Sequence, residues 1–256
     1  MLGVEFFNTI VVGALIAAAA GILGAFAVLK RMTLAGDVLS HVALPGIGLA
    51  LFFGIPSMWG ATVALLGAAV AVWAIRNRTH LPEETVIGVL FAMSLAFGIL
   101  ATPGEELIDA LFGGLENISL GVAVFIACVA VGIILLMAVL ARRIVLATIS
   151  PELAQASGLR PDILELLFLL AFGAVIALGV KFTGTLLMGA LIIVPAAAAK
   201  NISRSLTSFV LVSMGFSVIA MTVGFVIAQA FGILPGPVAI LLCAPLFLIT
   251  MAFRWR

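Results

Sequence analysis

The sequence predicts an all-α polytopic membrane protein with about nine (eight to nine) transmembrane helices, and three observations carry that reading. Of 256 residues, 65% are hydrophobic and only 9% charged, against about 45–50% and about 25% in soluble domains. Apolar runs long enough to cross a bilayer follow one another with short interruptions. The basic residues gather on alternate connections, as the positive-inside rule demands. A net charge of +1, with no basic stripe and no aromatic-basic alternation, argues against a nucleic-acid partner. Cys128 and Cys243 lie inside apolar runs without a CxxC pattern and read as small buried residues.

Nine apolar segments make up a single domain, 1–256: 8–29, 36–54, 58–75, 85–101, 119–141, 163–180, 183–199, 207–231 and 236–253. The first lacks a positive n-region and a cleavage site, so it reads as a retained span. The weakest break is Lys181–Gly184; eight spans with one re-entrant piece is the alternative. With the N-terminus outside, the inner connections hold Lys30, Arg31, Arg76, Arg78, Arg142, Arg143, Arg160, Lys200, Arg204, Arg254 and Arg256, and the outer side holds only Lys181. That bias predicts a multi-pass cell-membrane protein in contact with lipid, N-terminus out and C-terminus cytoplasmic. The loop 102–118 carries Glu105, Glu106, Asp109 and Glu116. It reads first as a solvated loop, and alternatively as an attractor of cations to the outer mouth.

The second segment opens GDVLSHVALPG, placing Asp37 one helical turn before His41. Residues at i and i+4 share a helix face, so both should project the same way, with Leu44, Pro45 and Gly48 continuing that face. An ionised Asp within a span costs about 2.5–3.5 kcal/mol on insertion scales. Two ordinary explanations are available: Asp37 caps the helix, and His41 packs as a satisfied histidine. The alternative is a metal site, because carboxylate plus imidazole suits a divalent first-row transition metal. One chain supplies too few ligands, and a two-fold axis would supply two Asp and two His. His41 must be neutral to bind, so metal binding should weaken as pH falls. Pro45 should bend the span.

Glu83 and Glu84, in HLPEETVIG, sit where the fourth segment begins. They read first as helix N-terminal acids and second as an inner gate. Between the fifth and sixth segments, region 148–160 contains SPELAQASG. It predicts a helix of about two turns, with Ser150 as cap, Pro151 at the first position, Glu152 in the first turn and Gly158 ending it. It is either an interfacial loop or a cytoplasmic coupling helix that docks on an ATPase subunit. Pro195 suggests a kink in the seventh segment. No G-x-x-x-x-G-K-[ST] loop is present, so no enzyme activity toward nucleotides by that route is expected. Any energised work would draw on another subunit or an ion gradient.

Four stretches, KRMTLAGDVLSHVALPGIGLAL, EETVIGVLFAMSLAFGIL, SPELAQASGL and KFTGTLLMGALIIVPAAAAK, together resemble the membrane permease subunits of the ABC-3 family, bacterial importers of manganese, zinc and iron. The form S-H-x-x-L-P-G looks closer to manganese-type members. EETVIG departs from the family's usual Glu-Asp while keeping the charge, and LFGGLENIS has Gly114 where the family often has Asn. The resemblance implies a type II-like ABC importer in which two copies of the chain form the pathway. Cytoplasmic ATP-binding subunits would dock through Pro151, Glu152, Leu153, Ala154, Ala156 and Gly158, and an extracytoplasmic metal-binding protein would deliver Mn²⁺, Zn²⁺ or Fe²⁺. It also implies Asp37 and His41 as pathway ligands, with the metal as cargo and no permanently bound cofactor. Rival classes are a proton-coupled secondary transporter with Asp37 as relay, and an intramembrane metalloenzyme, for which no HExxH is present.

Overall fold

The computed structural model describes residues 4–33, 35–79, 83–101, 108, 110–114 and 119–253, with the backbone alone at 4, 5, 83, 84 and 101. Among the described residues there are helices and no strand. The long ones are α1 (Val4–Leu29), α4 (Ser57–Thr79), α5 (Glu83–Ala101), α6 (Leu120–Ile149), α8 (Pro161–Thr183), α9 (Thr185–Ile202), α10 (Leu206–Phe231) and α11 (Pro235–Ala252). Shorter are α2 (Ala35–His41), α3 (Ala43–Phe52) and α7 (Pro151–Ala156). Eight stretches, with α2 and α3 counted together, are long and apolar enough to cross a membrane, and α5 carries a shorter apolar run, Thr85–Leu100. All nine expected segments are therefore helical.

Local chemistry sets the ends. Arg31 stops α1 by adopting a left-handed conformation, φ 61°. Met32 N–H then donates to Ala27 O at 2.9 Å and Arg31 N–H to Val28 O at 3.3 Å, the Schellman pattern built without a glycine. Gly184 alone separates α8 from α9, with φ 74°, a conformation that strains any L side chain. The weak break is thus a true boundary. The span is interrupted near Pro45: α2 gives way to α3 at Val42, three residues before the ring that displaces the helical bond to the His41 carbonyl. Helix α9 continues through Pro195.

Two expectations are corrected. Segment 119–141 is too short, because α6 runs on to Ile149 with Arg142 and Arg143 inside it; nothing in RRIVLATI interrupts a helix before Ser150–Pro151. Cys243 is buried as expected, but Cys128 is exposed, since α6 lies at the periphery and turns Val124, Val131 and Val139 outward.

Helix α1 is the central post, packed on α6, α9 and α10, while α4 packs on α8, α2 on α9, and α3 on α4 and α5. Phe26, Phe168, Phe172, Phe182 and Phe225 are almost fully buried among them. Lipid gives little hydrophobic drive for helix association, so close packing and interhelical hydrogen bonds carry it. One such bond runs from Ser213 Oγ on α10 to Gly21 O on α1, at 2.6 Å.

Lys30 and Arg76 meet at one end of the bundle, beside the start of α8 and α7. Lys181 lies about 24 Å further along α8 at 1.5 Å per residue, where Gly114 N–H donates to its carbonyl at 3.2 Å. The structure therefore separates these basic residues as the sequence does. Glu105, Glu106, Asp109 and Glu116 lie outside the described residues.

Candidate metal site and exposed short helix

Asp37 lies in the first turn of α2, inside the helix and not at its cap, where the helix dipole favours a carboxylate. The side chain is exposed, whereas His41, one turn on, is only 7% exposed and Leu44 is fully buried. The shared face therefore runs from the surface at Asp37 into the bundle at Leu44. Asp37 is close enough to His41 for the two side chains to interact electrostatically. Ser40 Oγ donates to Gly36 O at 2.8 Å and to Asp37 O at 2.7 Å, which satisfies the hydroxyl and favours bending.

The imidazole is held but not saturated. Its ring meets Phe91 of α5 edge-on, with centroids 5.3 Å apart and planes at 64°. Nδ1 is buried and has no hydrogen-bond partner among the described residues. Buried polar atoms in native structures are normally paired, and no described protein group pairs with this nitrogen. A nitrogen lone pair and a nearby carboxylate make a donor pair that fits a divalent first-row metal. Among the described residues no cluster of three His, Cys, Asp or Glu forms.

Close backbone approach fixes this bent span. A Cβ on Gly189 of α9 would collide with the Asp37 backbone, and one on Gly98 of α5 would meet Leu44 Cβ at 2.7 Å and Pro45 Cδ at 3.3 Å. On the opposite side Gly46 of α3 and Gly60 of α4 lie backbone to backbone. Sequence reasoning missed Gly189 and Phe91; a glycine in the run TGTLLMGAL was the available signal for the first.

Helix α7 has the local chemistry expected of SPELAQASG. Ser150 Oγ accepts from Leu153 N–H at 3.4 Å, and Pro151 occupies the first turn with Glu152. Gly158, φ 77°, follows the end, and Leu159 N–H donates to Ala154 O at 2.9 Å. Ala154 is fully buried and anchors the helix; Pro151, Glu152, Leu153 and Ala156 are exposed, as is Gly158 beyond the end. Glu83 and Glu84 open α5, but their side chains lie outside the described residues.

A second feature missed from sequence is Glu165, one turn into α8 and 7% exposed. Lys30 Nζ donates to its Oε2 at 2.6 Å, and Arg76 Nη1 lies 3.1 Å from the same oxygen. An acid inside the apolar run ILELLFLL was the signal.

A model of the ABC 3 transport family matches residues 4–254. The manganese import system permease protein ScaB of Streptococcus parasanguinis is 31% identical over 247 residues, covering 95% of this chain and 88% of that protein. The high-affinity zinc uptake system membrane protein ZnuB of Haemophilus influenzae is 27% identical over 258 residues, covering 98% of each. Among solved structures, PsaBC from Streptococcus pneumoniae in complex with Fab superposes with a TM-score of 0.84 at 28% identity, covering 97% of this chain and 91% of that one.

Proposed function

The chain belongs to the ABC 3 transport family, and from that premise we propose that it is the membrane-spanning permease subunit of an ATP-driven importer for a divalent transition metal. The observation that carries the metal reading is His41 Nδ1, buried and without a partner among the described residues, one turn from the exposed Asp37. A neutral imidazole and a carboxylate accept Mn²⁺, Zn²⁺ and Fe²⁺ alike. Relatives named for manganese and for zinc fall on both sides of that choice. The S-H-x-x-L-P-G form favours manganese.

Two ligands are too few to hold a metal for selection. A second copy facing the first across a two-fold axis completes a set of two Asp and two His. Exposure of Asp37 on the surface of the single chain supports this arrangement, because a charged side chain facing lipid would be costly. Mixed carboxylate and imidazole ligation binds firmly enough to select and weakly enough to release.

Energy comes from partner subunits. On this reading a cytoplasmic ATP-binding subunit docks on the exposed surface of α7, and that end of the bundle, with Lys30 and Arg76, faces the cytoplasm with the N-terminus outside. A metal-binding protein delivers the cargo to the opposite end. Family membership favours this reading over proton-coupled transport through Asp37. The test is metal uptake by vesicles holding the chain with its ATPase and binding-protein partners: Asp37→Asn and His41→Ala are expected to abolish uptake while ATP hydrolysis continues.

A further inference from the structure

We propose that Glu165 is a positioning residue for transport: with Lys30 and Arg76 it forms an ionic clamp, beside the docking helix, that ties α8 to the chain on either side of the metal-bearing span, so that movement at the docking helix reaches that span. The proposal rests on the permease reading above and adds the route by which ATP-driven work reaches Asp37 and His41.

An ionic clamp is a poor device for stability alone. Burying ionic groups costs several kcal/mol of desolvation each, and packed apolar side chains of similar volume often hold helices as well or better. In a chain that is 65% hydrophobic, a carboxylate inside α8 shared by two cations calls for another explanation. Its geometry is specific: both cations address Oε2, at 2.6 and 3.1 Å, and Lys30 Nζ also stands 5.5 Å from the centroid of the Phe168 ring on α8.

The partners bracket the metal-bearing span. Lys30 follows the last residue of α1 and precedes Asp37 by seven residues. Arg76 lies on α4, which follows that span and packs against it where Gly60 meets Gly46. Glu165 therefore holds the chain on the way in and the helix on the way out. A neutral bond reinforces the second tie, from Trp73 Nε1 of α4 to Asp162 O of α8 at 2.8 Å.

The docking helix lies against the same place. A cavity of about 300 Å³ has Lys30, Arg76, Asp162 and Glu165 on its wall together with Pro151 and Gln155 of α7. Charge-assisted bonds are short, strong and directional. The clamp can therefore carry α8, the end of α1 and α4 as one body when a partner subunit displaces α7.

The experiment reconstitutes the full complex in vesicles and records uptake of Mn²⁺, and in parallel Zn²⁺, with ATP hydrolysis in the same sample. Glu165→Gln and Lys30→Met are expected to hydrolyse ATP within about twofold of the parent but to move at least about fivefold less metal per ATP, the lower end of typical coupling free energies. Lys30→Arg, which keeps the charge, should restore most of that ratio. If Glu165→Gln does not accumulate, Lys30→Met carries the test, because Arg76 still neutralises the carboxylate there. A parent ratio in both Glu165→Gln and Lys30→Met, or a matched loss of hydrolysis and uptake, overturns the clamp. A parent complex that moves neither metal overturns the permease reading and the clamp with it.

Discussion

Gly189 on α9 and Asp37 on α2 are in backbone contact, so close that a methyl group at position 189 would overlap the Asp37 main chain. The carboxylate is therefore set at its depth by a helix from the far half of the chain. Gly189→Val should push α2 away from α9. Overpacking of this kind typically costs about 1–3 kcal/mol, so the melting temperature should fall, and metal uptake should fall further than that loss of folded protein explains. Thermal unfolding in detergent, set beside uptake in vesicles, checks both.

Pro45 bends the span immediately after His41. Pro45→Ala returns an N–H that can reach the His41 carbonyl, and because Pro45 lies in the first turn of α3, where a missing N–H costs little, the change in stability should be small. The variant should fold at least as well as the parent. Straightening should also swing His41 relative to Asp37, so metal uptake should drop by about an order of magnitude, roughly the energy of one misplaced ligand contact. Unchanged uptake would mean that the bend does not position the imidazole.

Leu153 is 60% exposed on α7 beside the buried Ala154 anchor. On the permease reading it is the apolar contact that α7 offers to the ATP-binding subunit. Leu153→Asp should leave the permease folded and reduce co-purification of the ATP-binding subunit. Ser150→Ala, which removes the cap, should weaken the same association less, since such a cap is worth about 1 kcal/mol. Co-purification at fixed subunit ratio distinguishes the two effects.

Much of this architecture was legible in the sequence. Apolar length exposed every span, and Ser150, Pro151 and Gly158 announced α7 because cap chemistry is local. The Asp37–His41 pair was visible through its i, i+4 spacing. The boundary of α6 was not, since hydropathy ends at the arginines while the helix continues past them. Cys128 also resisted, because an apolar run does not say which face of a peripheral helix looks outward. Glu165 and Gly189 meet partners far along the chain: Lys30 is 135 residues from Glu165, and no periodicity in one segment encodes that pairing.

The central claim is that Asp37 and His41 hold the transported metal, and the most direct measurement is Mn²⁺ and Zn²⁺ uptake per ATP hydrolysed by the reconstituted complex. Asp37→Asn and His41→Ala should each keep ATP hydrolysis near the parent rate while uptake of the transported metal falls to background. Parent-level uptake in both variants would contradict the account.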